Sequence, residues 1–417
     1  MLKRMISAAL CALMIALSAA PALAADIRRD VDDIEKNDVL YLGYYGGDQP
    51  YGANGQVYYD TPEPIEWLVL DPQKTSTRDR GMFLVTKEEL YVFDAKYYKY
   101  NSSGLSAACS GVYTRYLSPI ERRVILPTST SESEEYSLNR DFGAVIDRAL
   151  SSSRVFLMSA TEINQYLKGS PYIKLDKAWF TRTDSISPEG LIVCSSSGFG
   201  YLSKDSHQHG RMAYYLRPAM NVLLSNIVMI SPAEGEGSKE NAVGLYPVQM
   251  TQTNGENAWK LTLYDNSSFS ADIDAPVYSD DRKLTLHYLL EEAPRPSDNY
   301  GSYNGYEWYV CATIEIDGTT YYGPVGKAEP GSGTLEFILP EDMPNGDYTI
   351  RLSAEWRGGD KRTDYSTVPV YCDFTLTDRP VLPATGDRSS PALWLALLSA
   401  SLLGAAFLML QLRRREG

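Results

Sequence analysis

The sequence predicts an α+β domain over residues 39–231 followed by an all-β sandwich over residues 243–378. Three observations carry this expectation. The first part mixes short apolar runs with helix-capping signatures, whereas the second repeats strand-length runs between turn residues. Between them lies a polar linker, residues 232–242, built largely of PAEGEGSKEN from Pro232 to Asn241.

Both ends of the chain read as processing segments. Lys3 and Arg4 precede an apolar stretch, and Ala22 and Ala24 give the small-x-small pattern that signal peptidase reads, so residues 1–24 are a signal peptide. At the other end, Leu382, Pro383, Ala384, Thr385 and Gly386 precede an apolar run over residues 391–412 and then the basic tail 413–417. About twenty apolar residues cover a bilayer's hydrocarbon core, and the arginines place that end in the cytoplasm. Removing both ends takes away six basic residues and two acidic ones from a chain of net charge −14, so the remainder is more acidic still. Such a balance argues against binding nucleic acid by charge.

Residues 25–38 form a charged segment, helical or loose. Val39–Tyr44, Pro64–Asp71 and Gly81–Thr86 read as strands, the last two as a hairpin. Ser118-Pro119-Ile120-Glu121 opens a helix with a capping box, and Ser159-Ala160-Thr161-Glu162 opens another that runs to about Leu167. The spacing of Phe142, Val145, Ile146 and Leu150 predicts a helix over 138–150. Trp67 is a strand core residue, and Arg217 pairs internally.

The second part offers seven strand candidates: 259–264, 283–290, 306–316, 319–322, 334–339, 348–356 and 369–377. Asp317-Gly318 and Gly358-Gly359-Asp360 supply turns. About seven short strands suggest an immunoglobulin-like sandwich, and Asn345-Gly346-Asp347-Tyr348 resembles a tyrosine corner. Side-chain alternation puts Cys311 and Cys372 on different faces, so small buried hydrophobes are expected there, with a disulfide as the alternative.

Chemistry is sparse. His207 and His209 form a lone HxH in a Gly/Ser loop, Glu132, Glu134 and Glu135 crowd another loop, and Asp272, Asp274, Asp280 and Asp281 lack the spacing of an EF-hand. No catalytic residue, metal site or cofactor is assigned. Tyrosine is abundant, 31 residues, and offers a flat face with a polar edge suited to sugars and protein surfaces. Tyr97, Tyr98, Tyr100, Trp179 and Tyr214 are the candidate ligand surface.

Two resemblances extend this reading. The LPATG motif, membrane span and basic tail resemble the sorting signal of Gram-positive surface proteins. That implies a sortase as partner, attack at the Thr385 carbonyl, and covalent attachment to peptidoglycan through Thr385. The segments PIEWLVLD at 64–71, YLSPIERRVIL at 116–126, VFLMSATEINQYL at 155–167, AWFTRT at 178–183 and YLRPAM at 215–220 resemble a family of secreted Gram-positive domains of unknown function. That family is distantly similar to sulfatase-modifying factors and to the C-type lectin-like fold. The resemblance implies a lectin-like domain over 39–231, with long loops presented by a small sheet. The implied whole is a secreted, wall-anchored protein that binds an unknown glycan or protein, with the sandwich as a short spacer. A polymer-modifying enzyme and a purely structural wall protein are the alternatives.

Overall fold

The computed structural model of the chain describes residues 34–45, 63–74, 81–93, 104–135, 145–173, 175, 178–185, 190–194, 202–204, 214–234, 243–247, 257–293, 305–380, 399 and 401. In the first part, β1 (Val39–Tyr45), β2 (Glu63–Lys74) and β3 (Gly81–Thr86) lie side by side and antiparallel, with Leu40 opposite Trp67 and Leu68 opposite Val85. Met82, Phe83, Leu84 and Val85 are all fully buried, because this strand is covered on both faces. Trp67 is enclosed too, and its indole N–H donates to the Leu42 carbonyl at 2.8 Å.

Two short helices follow, α1 (Gly104–Gly111) and α2 (Glu121–Val124). The capping box expected at Ser118 forms: Ser118 N–H donates to Glu121 Oε2 at 2.7 Å, and Glu121 N–H donates to Ser118 Oγ at 3.2 Å. The expected helix over 138–150 does not hold where it is described, because β4 (Val145–Asp147) is a strand. β-branched Val145 and Ile146 suit an extended backbone, and pairing decides between the two states. β5 (Val155–Leu157) leads into α3 (Ala160–Tyr166), capped reciprocally by Ser159 and Glu162. β6 (Trp179–Ser185) pairs with β4 and with β7 (Tyr214–Leu216). β8 (Pro218–Leu223) joins β3 to β5, and β9 (Ile227–Pro232) completes the part.

Strands dominate the second part: β10 (Ala258–Tyr264), β11 (Ser268–Ile273), β12 (Lys283–Glu291), β13 (Glu307–Ile316), β14 (Thr319–Ala328), β15 (Gly331–Ile338), β16 (Gly346–Arg357), β17 (Asp364–Ser366) and β18 (Val370–Thr377). One sheet runs β18-β16-β13-β14, the other β11-β12-β15. Leu286, Leu290 and Phe337 of the second sheet share a core with Val310, Ala312, Leu352 and Phe374 of the first. Asp317 and Gly318 both take positive φ, 49° and 78°, as the tight turn between β13 and β14 requires. Tyr348 donates its hydroxyl to the Pro344 carbonyl at 2.8 Å, pinning the entry to β16.

The linker expected at 232–242 does not separate two bodies. β9 before it and β10 after it pair antiparallel, with Ile230 opposite Leu261. β10 also runs parallel to β1, with Leu40 opposite Trp259, and then parallel to β17. One 15-stranded sheet therefore crosses the linker, and Met1–Thr377 is one compact unit, with Asp378–Gly417 a second. Polar Gly/Ser-rich composition marks a surface connection as readily as a domain boundary. The signal segment and the LPATG motif lie outside the described residues, as does the expected span 391–412 apart from 399 and 401. Among the described residues no helix is long and apolar enough to cross a membrane.

Candidate functional site

The expected aromatic surface is only partly placed. Tyr97, Tyr98 and Tyr100 lie outside the described residues, and of Tyr214 only the backbone, in β7, is described. Trp179 is corrected: it is 1% exposed, and its ring lies against the Arg217 guanidinium, 5.0 Å from the ring centre. A bulky apolar ring on a strand covered on both sides has no access to a ligand. Arg217 meets the expectation of internal pairing, donating to the carbonyls of Thr86 at 2.9 Å and Tyr172 at 2.8 Å. Other clustered tyrosines also turn inward, with Tyr41 bonded to Glu66 at 2.9 Å and Tyr322 to Glu355 at 2.6 Å.

The cysteines offer no nucleophile among the described side chains. Cys109, Cys311 and Cys372 are buried, Cys311 beside Tyr309 and Tyr322 and Cys372 in the main core. Burial pushes the Cys109 thiol up to about 12, which suppresses the reactive thiolate. His207 and His209 lie outside the described residues, and Cys194 is described only as backbone paired with Trp179. Glu132 is exposed and pairs with Arg148 at 3.2 Å.

A polar hollow of about 610 Å³ lies on the outer face of the β11-β12-β15 sheet. Register puts Ser270, Leu289 and Ser332 in one row and Asp272, His287 and Thr334 in the next. His287 Nδ1 shares a hydrogen bond with Thr334 Oγ1 at 3.0 Å, and Nε2 meets Asp274 Oδ1 at 3.3 Å. The hydroxyl–imidazole–carboxylate order has the form of a nucleophile relay, but His287 and Asp274 are 51% and 67% exposed. Water screens such a pair, and relay chemistry depends on a dry, preorganised site. Polar groups arrayed around the exposed Leu289 suit reversible contact with a polar ligand instead. Among the described residues no group of three or more His, Cys, Asp or Glu is placed to hold a metal ion.

The densest polar chemistry lies inside, where the two parts of the unit meet. Glu121 is 3% exposed, and besides capping α2 it accepts from Gly43 N–H at 3.1 Å and from Thr363 Oγ at 2.8 Å. Gly43 has φ of 78°, and a Cβ there would stand 2.6 Å from the Tyr116 carbonyl, so glycine is required at this approach. Ser118 Oγ shares a hydrogen bond with the Tyr365 hydroxyl at 3.2 Å. Arg362 lies over the rings of Tyr44 and Tyr306, and desolvation pushes the Tyr306 phenol well above its ordinary range. At the centre, Lys260 of β10 and Asp364 of β17 are both 0% exposed, with Nζ 2.7 Å from Oδ2. That approach is a charge contact rather than an aligned hydrogen bond; the ammonium's aligned acceptor is Gly359 O at 3.2 Å. Gly358 N–H donates to Asp364 Oδ1 at 3.0 Å. The glycine turn legible in the sequence thus positions both partners, a role that composition alone does not reveal.

Compared with known protein-family models and with curated proteins, the chain has no match.

Proposed function

We propose that this chain is a secreted surface protein of a Gram-positive cell, processed by sortase and joined to peptidoglycan through Thr385, and that it binds rather than transforms its ligand. One observation carries the anchoring: LPATG, a membrane-length apolar run and a basic tail follow one another in that order after an N-terminal signal segment. Expressed in a sortase-bearing host, the wild-type chain is expected in the wall fraction, and Thr385→Ala is expected to stay in the membrane fraction. Wall linkage unchanged by that substitution would sink the assignment.

The strand connectivity and the Tyr348 bond support an immunoglobulin-like sandwich for residues 243–378, and the sequence motifs support a lectin-like character for residues 39–231. A binding role is supported by the exposed polar hollow around His287, by the buried, unreactive Cys109, and by a surface acidic enough to resist self-association. Purified protein applied to glycan and extracellular-matrix protein arrays should give signals that fall in Ser332→Arg or Leu289→Glu. Uniform silence on both arrays would count against binding as the function.

A further inference from the structure

We propose that Lys260 and Asp364 close into an intramolecular amide, a covalent bridge between β10 and β17 inside the unit. Lys260 sits where one edge of β10 passes from β1 to β17, opposite Tyr41, and two residues before Thr262, which faces Asp364. Positions 260 and 262 share a strand face, so the two side chains meet diagonally across the parallel pair. Neither has any exposed surface, and Nζ stands 2.7 Å from Oδ2. Holding an amine against a carboxyl this closely converts a bimolecular condensation into an intramolecular one, for which effective molarities of about 10⁵–10⁸ M are known.

The surroundings favour the neutral product. Two charges with no exposed surface carry a desolvation cost of several kcal/mol each, and amide formation removes both. A proton first passes from Nζ to Oδ2, leaving a neutral amine and a neutral carboxyl; the amine lone pair then attacks Asp364 Cγ, forming the N–C bond, and the Cγ–Oδ2 bond breaks. Oδ2 leaves as water carrying two of the three ammonium protons, and the third remains on the amide nitrogen. Oδ1 stays as the amide oxygen. It already accepts from Gly358 N–H at 3.0 Å, a fixed donor at the atom where negative charge gathers in the tetrahedral intermediate. Gly359 O at 3.2 Å holds the amine end in place. The step needs no oxidant, metal or second substrate.

Mass spectrometry of the purified chain, denatured, decides the matter. The wild type is expected one water lighter than its sequence, with both termini identified in the same digest. Trypsin should fail to cut after Lys260 and should release a branched peptide joining the two strands. Lys260→Ala and Asp364→Ala should return to full sequence mass. Asp364→Asn can form the same amide by losing ammonia, so its final mass should equal that of the wild type. Full sequence mass in the wild type, with ordinary cleavage after Lys260, would overturn the proposal. That reading requires no variant to fold, and it is independent of whether Thr385 is anchored.

Discussion

Two pairings of a basic side chain with an aspartate sit in the same half of this molecule, and burial makes them opposites. Lys260 and Asp364 have no exposed surface, whereas His287 and Asp274 are each more than half exposed. In water an ion pair gains little, because solvent already stabilises each charge. Inside, each partner depends on the other, and removing one strands a charge. The difference separates the two: the inner pair is part of the packed interior, and the outer group is open to solvent.

The largest effect tests the inner pair. Lys260→Met leaves Asp364 enclosed without its cation and is expected to lower unfolding free energy by about 3–5 kcal/mol in urea titrations, and by more where a covalent bridge is also lost. A change below about 1 kcal/mol would mean that water reaches the site and would erase the contrast. Glu121→Ala should rank next, at about 3 kcal/mol by the same titration, since backbone N–H groups of Gly43 and Ser118 and the Thr363 hydroxyl all lose a charged acceptor. On the outer face, His287→Ala should change stability by less than about 1 kcal/mol in thermal melts.

The smallest effect is one of sign. Burial pushes the Asp38 carboxyl above its ordinary range, against hydrogen bonds from the Glu35 N–H and the Trp259 indole that pull it back. A raised carboxyl favours the protonated folded state. The wild type should therefore lose stability as pH rises from the ordinary aspartate value through the shifted one. Asp38→Asn should remove that slope in denaturation curves measured across acidic pH. An opposite slope attributable to Asp38 would show that the indole and backbone donors outweigh desolvation.

What the sequence revealed was local. Ser118 with Glu121 and Ser159 with Glu162 announced their caps because the partners lie three residues apart. Asp317-Gly318 announced its turn through backbone freedom, and strand alternation put Cys311 and Cys372 on different faces. The second task of Glu121, reaching Gly43 and Thr363, left no mark, because nothing in the spacing of residues 43, 121 and 363 brings them together. Parallel pairing of β1 with β10 is silent for the same reason, so a polar stretch between strands of one sheet read as a boundary between domains. Trp179 misled through its residue type: an aromatic ring suits a sugar and a core equally, and only its cover distinguishes them. The inner pair was invisible, since Lys260 interrupts an apolar run in a way that ordinarily marks a solvent-facing position.

The parallel alignment of β1 with β10 also orders events in time. A chain made from its amino end completes β1 long before β10 exists, and loop closure over so great a separation is slow. Until then β1 presents an open hydrogen-bonding edge next to apolar Leu40 and Leu42, the kind of edge that recruits a second chain. A fragment ending at residue 234 should keep that edge permanently and sediment as aggregates. The complete chain would need to be held unfolded, by a chaperone or a translocation channel, until its later strands arrive.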